Sequence, residues 1–491
     1  MSTIQTPYVR AIHPTPAHVE TDSKLFCFGS GLTLYQSPAF SQEALKSVET
    51  LWDAFTVQCC PLTVLPAPGL TLYQAWLGSS APLGDPPALD EKDDYLLQVL
   101  EAGVWLLARD YPGFCHGLTT LLQLIQPRSL EKGQELFAVP CVLVKDRPAT
   151  RFRSIHLCIF PESKLALIEK SIRLAGFMKY THVILEFWGV LQYDALPELA
   201  WPGKSFTKEQ IRPLIQAAHD YGMEVIPMIN HLGHATQSRA CYGRHVVLNQ
   251  NPRLACLFEP DGWTWCISNP DTLELLRALR RELIELCGPG SYFHLGCDEA
   301  YSYATCDCCS QKDGPKLLAE YLNSLTEELA SEGRRPIIWG DALLDANAWK
   351  APNIATSRPD QRTHEALELL DRRIIIADWQ YGITEPSCPT AAYFMKEGFD
   401  TLLCPWDNYS NMSALSVAAQ SLSAMGVMAT TWDHLPEFIP KIPYMGGAMW
   451  APAEKIDEAG LNYTQIAYLL RKIYPGADYS EYGWHRWEVS E

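Results

Sequence analysis

The chain has 491 residues, of which 47% are hydrophobic and 20% are charged. It is therefore long and apolar enough to bury a large core, and disordered and collagen-like proteins are excluded. Its 39 Lys and Arg residues against 57 Asp and Glu residues give a net charge of −18. Because such a surface repels phosphate backbones and anionic lipids, we expect no nucleic-acid partner and no membrane partner.

The N-terminal residues and the cysteines bear on the cellular compartment. Residues 1–16 lack the cationic start and the apolar run of a signal peptide. No apolar stretch elsewhere reaches the roughly 18 residues of a membrane span. The 16 Cys residues are spread over a long chain, which is typical of reduced and largely buried thiols. We expect a cytoplasmic protein.

The first part of the chain combines short strand-like runs with turn-rich stretches. Residues 70–76 and 95–100 are predicted strands. An apolar segment at residues 114–125 follows Pro112-Gly113 and has the length of a helix that packs on a sheet. We therefore predict a small α+β domain over residues 1–148.

From Arg151 onward, short apolar runs alternate with amphipathic helices, which predicts parallel strands joined by crossover helices. The predicted strands are residues 155–160, 183–188, 225–230, 292–295, 336–339, 374–379, 401–404 and 427–432. Eight such units predict an α/β fold, namely a (β/α)8 TIM barrel over residues 149–491 that the α+β domain precedes.

Helix start and stop signals lie between these strands. Thr207 and Gln210 form a capping box, and Gly222 stands where a helix-ending glycine belongs. Asn269-Pro270 predicts the start of another helix, which residues 288–290 end. A final helix is predicted near residues 461–474.

Tryptophans close several of the predicted strands, and the site of a (β/α)8 barrel lies at the carboxyl ends of its strands. The strand-end tryptophans are Trp188, Trp339, Trp379, Trp406 and Trp432. A single one of them is most simply a packing residue. A ring of indoles beside acids and amides, however, suits a pyranose, because its CH faces stack on aromatic rings while its hydroxyls bind polar groups.

Two adjacent carboxylates, Asp298 and Glu299, follow Gly296 at the end of the fourth barrel strand. Side chains of neighbouring residues reach one ligand only if the chain turns, which a glycine allows. Most glycosidases place two carboxylates about 5–9 Å apart across the scissile bond, which sequence neighbours cannot easily do. The adjacent pair instead favours one group that protonates the leaving oxygen and one that orients a nucleophile of the substrate itself.

These residues resemble glycoside hydrolase family 20, the β-N-acetylhexosaminidases, whose hallmark is His-x-Gly-x-Asp-Glu after strand four. The chain has His294-Leu295-Gly296-Cys297-Asp298-Glu299 at this place. Arg153-Ser154 at strand one, Gly233-His234 after strand three and the later tryptophans are similar to the family as well. Residues 113–124 resemble the end of its small N-terminal domain, so the resemblance covers most of the chain.

The resemblance implies a retaining exo-enzyme that removes terminal β-linked GlcNAc or GalNAc from an oligosaccharide or glycoconjugate. Glu299 would be the general acid and base, and Asp298 would hold the 2-acetamido nitrogen. The acetamido carbonyl would attack the anomeric carbon and give an oxazolinium intermediate. No cofactor and no metal ligand is implied, and whether the protein forms a homodimer stays open.

The resemblance also implies residues that bind the sugar. Arg153 would bond the hydroxyls of the terminal sugar, and His234 would support the acid. Tyr409 is the candidate for a bond to the acetamido oxygen. The remaining implied contacts are Trp339, Trp379 and Trp432 around the acetamido pocket, with Trp406 and Asp407 beside them.

Some positions depart from the family pattern. Strand eight ends Trp432-Asp433-His434 where the family usually has Trp-x-Glu, and residues 449–454 are a rival match for that strand. The loop after strand two, often rich in Asp, reads Phe187-Trp188-Gly189-Val190. A member specific for a modified hexosamine, for example a sulfated one, is therefore an alternative.

Other classes of function stay open. A glycan-binding barrel without activity would keep the aromatic walls, although it would not need both Asp298 and Glu299. A metal-dependent hydrolase would use these two residues with His231 and His234, but strand one lacks a His-x-His motif.

A zinc site is a further alternative, and it concerns the loop after strand four. Its ligands would be Cys306, Cys308 and Cys309, with Cys297 nearby. Cys-x-Cys-Cys differs from the usual Cys-x2-Cys spacing, so free thiols are the simpler interpretation.

Overall fold

The computed structural model describes residues 12–452 apart from 30, 57–59, 83, 132–133, 161–162, 188, 201–202, 236–250 and 433–434. The helix predicted near residues 461–474 lies outside the described residues, as do Trp188, Asp433 and His434. None of the described helices is both long enough and apolar enough to cross a membrane.

An eight-stranded sheet with two helices forms the N-terminal part. Its strands are β1 (His18–Phe28), β2 (Thr33–Gln36), β3 (Thr63–Pro66), β4 (Tyr73–Gly78), β5 (Tyr95–Leu100), β6 (Gly103–Ala108), β7 (Gln126–Glu131) and β8 (Gln134–Asp146). The strand order is β1-β8-β5-β6-β4-β2-β3, with β7 paired to β8, and only β2 and β3 run parallel. The helices are α1 (Gln42–Thr56) and α2 (Tyr111–Leu124).

The helix predicted at residues 114–125 is α2, which packs on β5 and β6. It begins at Tyr111, because Asp110 caps it by accepting a hydrogen bond from Gly113 N at 2.8 Å. The sheet ends with β8 at Asp146.

Eight parallel strands close into a barrel, which confirms the predicted fold class. They are β9 (Phe152–Ile159), β10 (His182–Phe187), β11 (Glu224–Met228), β12 (Tyr292–His294), β13 (Arg335–Trp339), β14 (Ile375–Trp379), β15 (Asp400–Cys404) and β16 (Gly426–Thr431). Each predicted strand is present, and each pairs with its neighbours in chain order until β16 pairs with β9. The domain boundary predicted at residues 148 and 149 falls between β8 and β9.

Helices follow most of these strands. They are α3 (Leu165–Phe177), α4 (Lys208–Asp220), α5 (Pro270–Cys287), α6 (Gly314–Ser331), α7 (Pro389–Lys396), α8 (Tyr409–Leu422), α9 (Leu435–Phe438) and α10 (Lys441–Trp450). The capping box of Thr207 and Gln210 begins α4, and Asn269 caps α5 as predicted. The rival match for strand eight at residues 449–454 is wrong, because Met449 and Trp450 end helix α10.

Candidate active site

The chain turns sharply where β12 ends, in a segment that we call the acid loop (residues 295–309). Gly296, Cys297 and Glu299 have φ values of +67°, +80° and +47°, all in the left-handed region. A Cβ atom at Gly296 would lie 1.8 Å from Asn230 Oδ1, so only glycine fits there. This turn brings the side chains of Asp298 and Glu299 to the same side of the loop.

Both carboxylates meet at one histidine. Asp298 Oδ2 lies 3.2 Å from His234 Nε2, and Glu299 Oε2 lies 3.0 Å from the same atom. Asp298 and His234 are almost completely buried, whereas the Glu299 side chain is 30% exposed. The structure thus brings together three of the residues expected at the site.

The charge on His234 follows from its surroundings. Burial opposes a charged imidazole, but the carboxylates of Asp298 and Glu299 outweigh that penalty and raise the pKa of His234 to about 10. His234 is therefore a cation at neutral pH. It partly neutralises two acids that would otherwise repel each other.

Trp263 supports this trio, although nothing in the sequence singled it out. Its Nε1 donates to Glu299 O at 2.8 Å, and its ring centroid lies 4.2 Å from that of His234. The loop after the third barrel strand therefore holds both the backbone of Glu299 and the ring of His234.

Asp341 is a second supporting residue that the sequence analysis did not assign to the site. It follows Gly340 just after the end of β13. Its Oδ2 accepts from Glu299 N at 3.1 Å and from Thr356 Oγ1 at 2.6 Å, while its Oδ1 accepts from Trp379 Nε1 at 3.0 Å. Burial and the charge of Asp298 raise the pKa of Asp341 to about 7. The detectable signal was an acid at a strand end beside a tryptophan.

Tyr301 contacts the acid from the solvent side. Its hydroxyl donates to Glu299 Oε1 at 2.6 Å. Burial and the neighbouring charge of Glu299 raise the pKa of Tyr301, so it stays a neutral donor. Glu299 therefore has His234 on one oxygen and Tyr301 on the other.

Five aromatic side chains line the same end of the barrel, and we call them the aromatic wall. They are Trp339, Trp379, Tyr381, Trp406 and Trp432. Ring centroids are 5.5 Å apart for Trp339 and Trp432, and 5.2 and 5.3 Å from Tyr381 to Trp379 and Trp406. All four tryptophans expected at the site among the described residues thus gather in one wall.

Several buried polar atoms beside this wall have no hydrogen-bond partner within the described part of the chain. They are His294 Nε2, Asp298 Oδ1 and Trp339 Nε1. The ring of His294 lies 4.6 Å from that of Trp339. Since buried polar groups are nearly always satisfied, these atoms indicate that a polar ligand binds here.

Tyr381, and not Tyr409, lies in the aromatic wall. The ring of Tyr409 packs on Tyr444 with centroids 4.6 Å apart. The hydroxyl of Tyr381 instead accepts a hydrogen bond from Trp432 Nε1 inside the aromatic wall. Asp407 is more than half exposed and lies 3.9 Å from Lys441 Nζ, at the rim.

The prediction that Arg153 binds the hydroxyls of the terminal sugar is wrong. It lies at the amino end of β9, opposite to the carboxylates, and donates to Lys179 O at 2.8 Å and Thr150 O at 2.7 Å. Its neighbour Phe152 faces the barrel interior. Because strand side chains alternate, Arg153 points outward, where its guanidinium lies over the ring of Trp450.

His231 is likewise excluded from a metal site with the acids. Its ring bonds Ile229 O at 2.7 Å through Nδ1 and Arg280 Nη1 at 3.0 Å through Nε2. The group that could hold an ion near the wall consists of His234, Asp298 and Glu299. A metal-dependent hydrolase built on two histidines is therefore not supported.

The chain is similar to known proteins of one family. The family model "Glycosyl hydrolase family 20, catalytic domain" matches residues 185–437, and "Glycosyl hydrolase family 20, domain 2" matches residues 9–147. The chain is 26% identical over 298 residues to a β-hexosaminidase of Porphyromonas gingivalis, which is 54% of this chain and 38% of that protein. It is 25% identical over 293 residues to a β-hexosaminidase of Vibrio furnissii, 52% of this chain and 47% of that protein.

The alignments thus span less than half the length of these two relatives. Among solved structures, the fold is similar to that of a family 20 exo-β-N-acetylglucosaminidase from Vibrio harveyi in complex with N-acetylglucosamine. The TM-score is 0.69 at 17% identity, and the match covers 95% of this chain and 78% of that one.

Proposed function

The chain belongs to glycosyl hydrolase family 20, and on this basis we propose that it is a retaining exo-β-N-acetylhexosaminidase. Its substrate would be an oligosaccharide or glycoconjugate that ends in β-linked GlcNAc or GalNAc. The observation that carries the proposal is the meeting of Asp298 and Glu299 at one nitrogen of His234.

That geometry favours a nucleophile that comes from the substrate. Retaining enzymes with a protein nucleophile place two carboxyl groups about 5 Å apart on opposite faces of the sugar. Asp298 and Glu299 are instead neighbours in sequence, and both contact the same nitrogen of His234, which favours their acting from one side of the sugar. The acetamido group of a hexosamine then supplies the attacking oxygen.

The proposed first step uses each carboxyl group once. Glu299, protonated in the substrate complex, gives its proton to the leaving glycosidic oxygen while the acetamido carbonyl oxygen bonds to the anomeric carbon, and the bond to the leaving group breaks. Asp298 Oδ1, buried and without a partner in the described chain, accepts the acetamido N–H and offsets the charge of the oxazolinium ion.

In the second step, water attacks the anomeric carbon and gives a proton to Glu299. The oxazolinium ring opens and regenerates the acetamido group. The two steps each invert the configuration of the anomeric carbon, so the overall reaction retains it. The aromatic wall excludes water from the oxazolinium ion and contacts the acetamido methyl group and the apolar sugar face. The cation of His234 stabilises the carboxylate of Glu299 that exists between the two steps.

Hydrolysis of nitrophenyl glycosides tests the proposal. We expect release of nitrophenol from the β-N-acetylglucosaminide but not from the β-glucoside, and a loss of about 10²- to 10⁴-fold in Glu299→Gln, typical of removing a general acid. Asp298→Asn should lose activity as well, because it no longer offers a carboxylate to the acetamido N–H. Exposed Glu332 provides the matched control, Glu332→Gln.

A fluorinated substrate probes the nucleophile directly. Replacing the acetamido by a trifluoroacetamido group withdraws electrons from the carbonyl oxygen, so turnover should fall steeply. Equal turnover of both substrates, or hydrolysis of the plain glucoside, would contradict substrate assistance. Sugar binding without turnover of any hexosaminide would indicate a glycan-binding barrel.

A further inference from the structure

Four potential metal ligands lie together beside the acid loop, and we call them the thiol cluster. They are Glu259, Cys266, Cys306 and Cys309. Their ligand atoms all lie within 4.8 Å of one another. Cys266 Sγ is 3.4 Å from Cys306 Sγ and 3.8 Å from Cys309 Sγ.

Glu259 is oriented by the acid loop and keeps one oxygen available. Its Oε2 accepts from Thr305 N at 3.0 Å and from Cys306 N at 2.6 Å. Its Oε1 is buried and has no hydrogen-bond partner among the described residues, and Glu259 is 1% exposed. A buried carboxylate oxygen without a partner is costly unless it binds a cation, and Glu259 belongs to the same group as three thiols.

We propose that the thiol cluster binds a structural zinc ion. Tetrahedral zinc with Zn–S bonds of about 2.3 Å places its sulfurs about 3.8 Å apart, which is close to the two sulfur distances given above. Three thiolates and a carboxylate oxygen would supply four ligands, and four-coordinate tetrahedral zinc is typical of structural sites. Sulfur-rich ligand sets favour zinc over calcium or magnesium.

The tertiary structure changes the set of cysteines that the sequence suggested. Cys306 and Cys309 have the Cys-x2-Cys spacing, and Cys309 N donates to Cys306 O at 3.0 Å in a tight turn. Cys308 is exposed and Cys297 is buried beside Leu295 O, so neither belongs to the thiol cluster. Cys266 takes their place, 40 residues before Cys306 along the chain.

The ion would join two loops that carry parts of the candidate active site. One is the acid loop, and the other, residues 251–269, contains Trp263, which donates to Glu299 O. By fastening these loops to each other, the zinc ion would hold the backbone of Glu299 in place. This inference does not depend on the proposed glycosidase activity, because the site can be measured by its metal content.

A disulfide is the main alternative, since Cys266 and Cys306 lie close enough to react after a small shift. It would leave Glu259 Oε1 without a hydrogen-bond partner among the described residues, and it would not use Cys309, whose thiol donates to Ser268 Oγ at 3.1 Å. The zinc site uses all four groups, which is why we favour it.

Metal analysis of the full-length protein, purified under reducing conditions with zinc in the medium, tests the proposal. We expect about one zinc per chain and a large loss of zinc in Cys309→Ser and in Glu259→Gln. Cys308→Ser is the matched control and should keep the zinc. Glu299→Gln should keep it as well, which separates this site from the group of His234.

Two measurements on the unchanged protein guard against variants that fail to fold. Replacement of zinc by cobalt should produce thiolate-to-cobalt charge-transfer absorption, and removal of zinc by a chelator should lower Tm until zinc is restored. Absence of zinc from the folded protein, or full zinc content in a folded Cys309→Ser variant, would overturn the proposal. A disulfide would overturn it as well. Mass spectrometry would show this as a protein mass lower by two hydrogens, together with a peptide in which Cys266 is linked to Cys306.

Discussion

At the scale of single residues, the candidate site depends on two neighbouring residues that hold its acids in place, the histidine between them and a third acid that bonds the backbone. The cation of His234 lies between Asp298 and Glu299, and Asp341 receives the backbone N–H of Glu299. Asp341 is buried and bonds Glu299 N and Trp379 Nε1, so we interpret it as a positioning residue. Its substitution should affect catalysis more than binding.

Asp341→Asn should lower kcat by about 10- to 100-fold with little change in KM, because a small displacement of an acid costs that much. An amide has one acceptor oxygen, whereas Asp341 accepts with both. Steady-state kinetics on the nitrophenyl β-N-acetylglucosaminide measure kcat and KM separately. The control is Asp345→Asn in the same loop, because the Asp345 carboxylate bonds only the local Asn347 N among the described contacts. An equal fall of kcat in both variants would contradict a positioning role for Asp341.

The same variant has a pH signature. The pKa of Asp341 is about 7 in the folded protein and about 3.9 in an unfolded chain. Between these values the folded state holds a proton that the unfolded state lacks, so this group's contribution to stability is lost as pH rises through 7. Relative to the unchanged protein, Asp341→Asn should gain stability from pH 4.5 to pH 7.5 in urea unfolding. A difference that stays constant with pH would show that Asp341 is not the titrating group.

At the scale of elements, the site depends on how β12 ends. The strand stops at His294, and the left-handed residues that follow turn the acid loop back toward the loop that carries His234. Gly233 and Gly296 permit this close approach, since a Cβ on Gly233 would lie 2.0 Å from Asp298 O. The geometry of the candidate site therefore needs glycines in two loops at once.

Gly296→Ala should destabilise the protein far more than Gly333→Ala. Both glycines have positive φ, +67° and +73°, so each alanine costs about 1–2 kcal/mol of backbone strain. At Gly333 nothing lies within 4 Å of the added Cβ, whereas at Gly296 it would meet Asn230 Oδ1. The difference between the two free energies of unfolding in urea isolates the clash. Similar values for both variants would mean that Asn230 moves aside without cost.

At the scale of the whole molecule, a buried polar junction joins the sheet domain to the barrel. Lys179 Nζ donates to Asp146 Oδ2 and to Tyr95 OH, both at 2.9 Å, and it lies over the ring of Trp450. Trp450 Nε1 donates to the other oxygen of Asp146 at 2.9 Å. Both charged groups are fully buried, so the two parts of the chain share an ion pair that neither could satisfy alone.

Lys179→Met should cost about 3–5 kcal/mol, because it leaves the carboxylate of Asp146 buried without its cation. Lys46 on α1 is exposed, and Lys46→Met should change stability by no more than about 0.5 kcal/mol. Urea unfolding followed by tryptophan fluorescence compares the two variants. If both unfold at the same urea concentration, the junction contributes nothing to stability.

Much of the barrel was predictable, because strand and helix periodicity, capping residues and glycine stops are local properties of the chain. All eight barrel strands and the caps of α4 and α5 were predicted in this way. The adjacent Asp298 and Glu299 were also visible, since a sequence motif after a recognisable strand needs no knowledge of distant residues.

Contacts between distant segments were not predictable from these local patterns. Arg153 stands at the expected strand but faces outward, Tyr381 and not Tyr409 lies in the aromatic wall, and Cys266 joins Cys306. In each case a side chain's direction depends on strand alternation and loop packing. Residue types and their spacing thus specified the barrel and the acids, while the folded chain selected which side chains surround them, because that choice depends on contacts between loops of different strands.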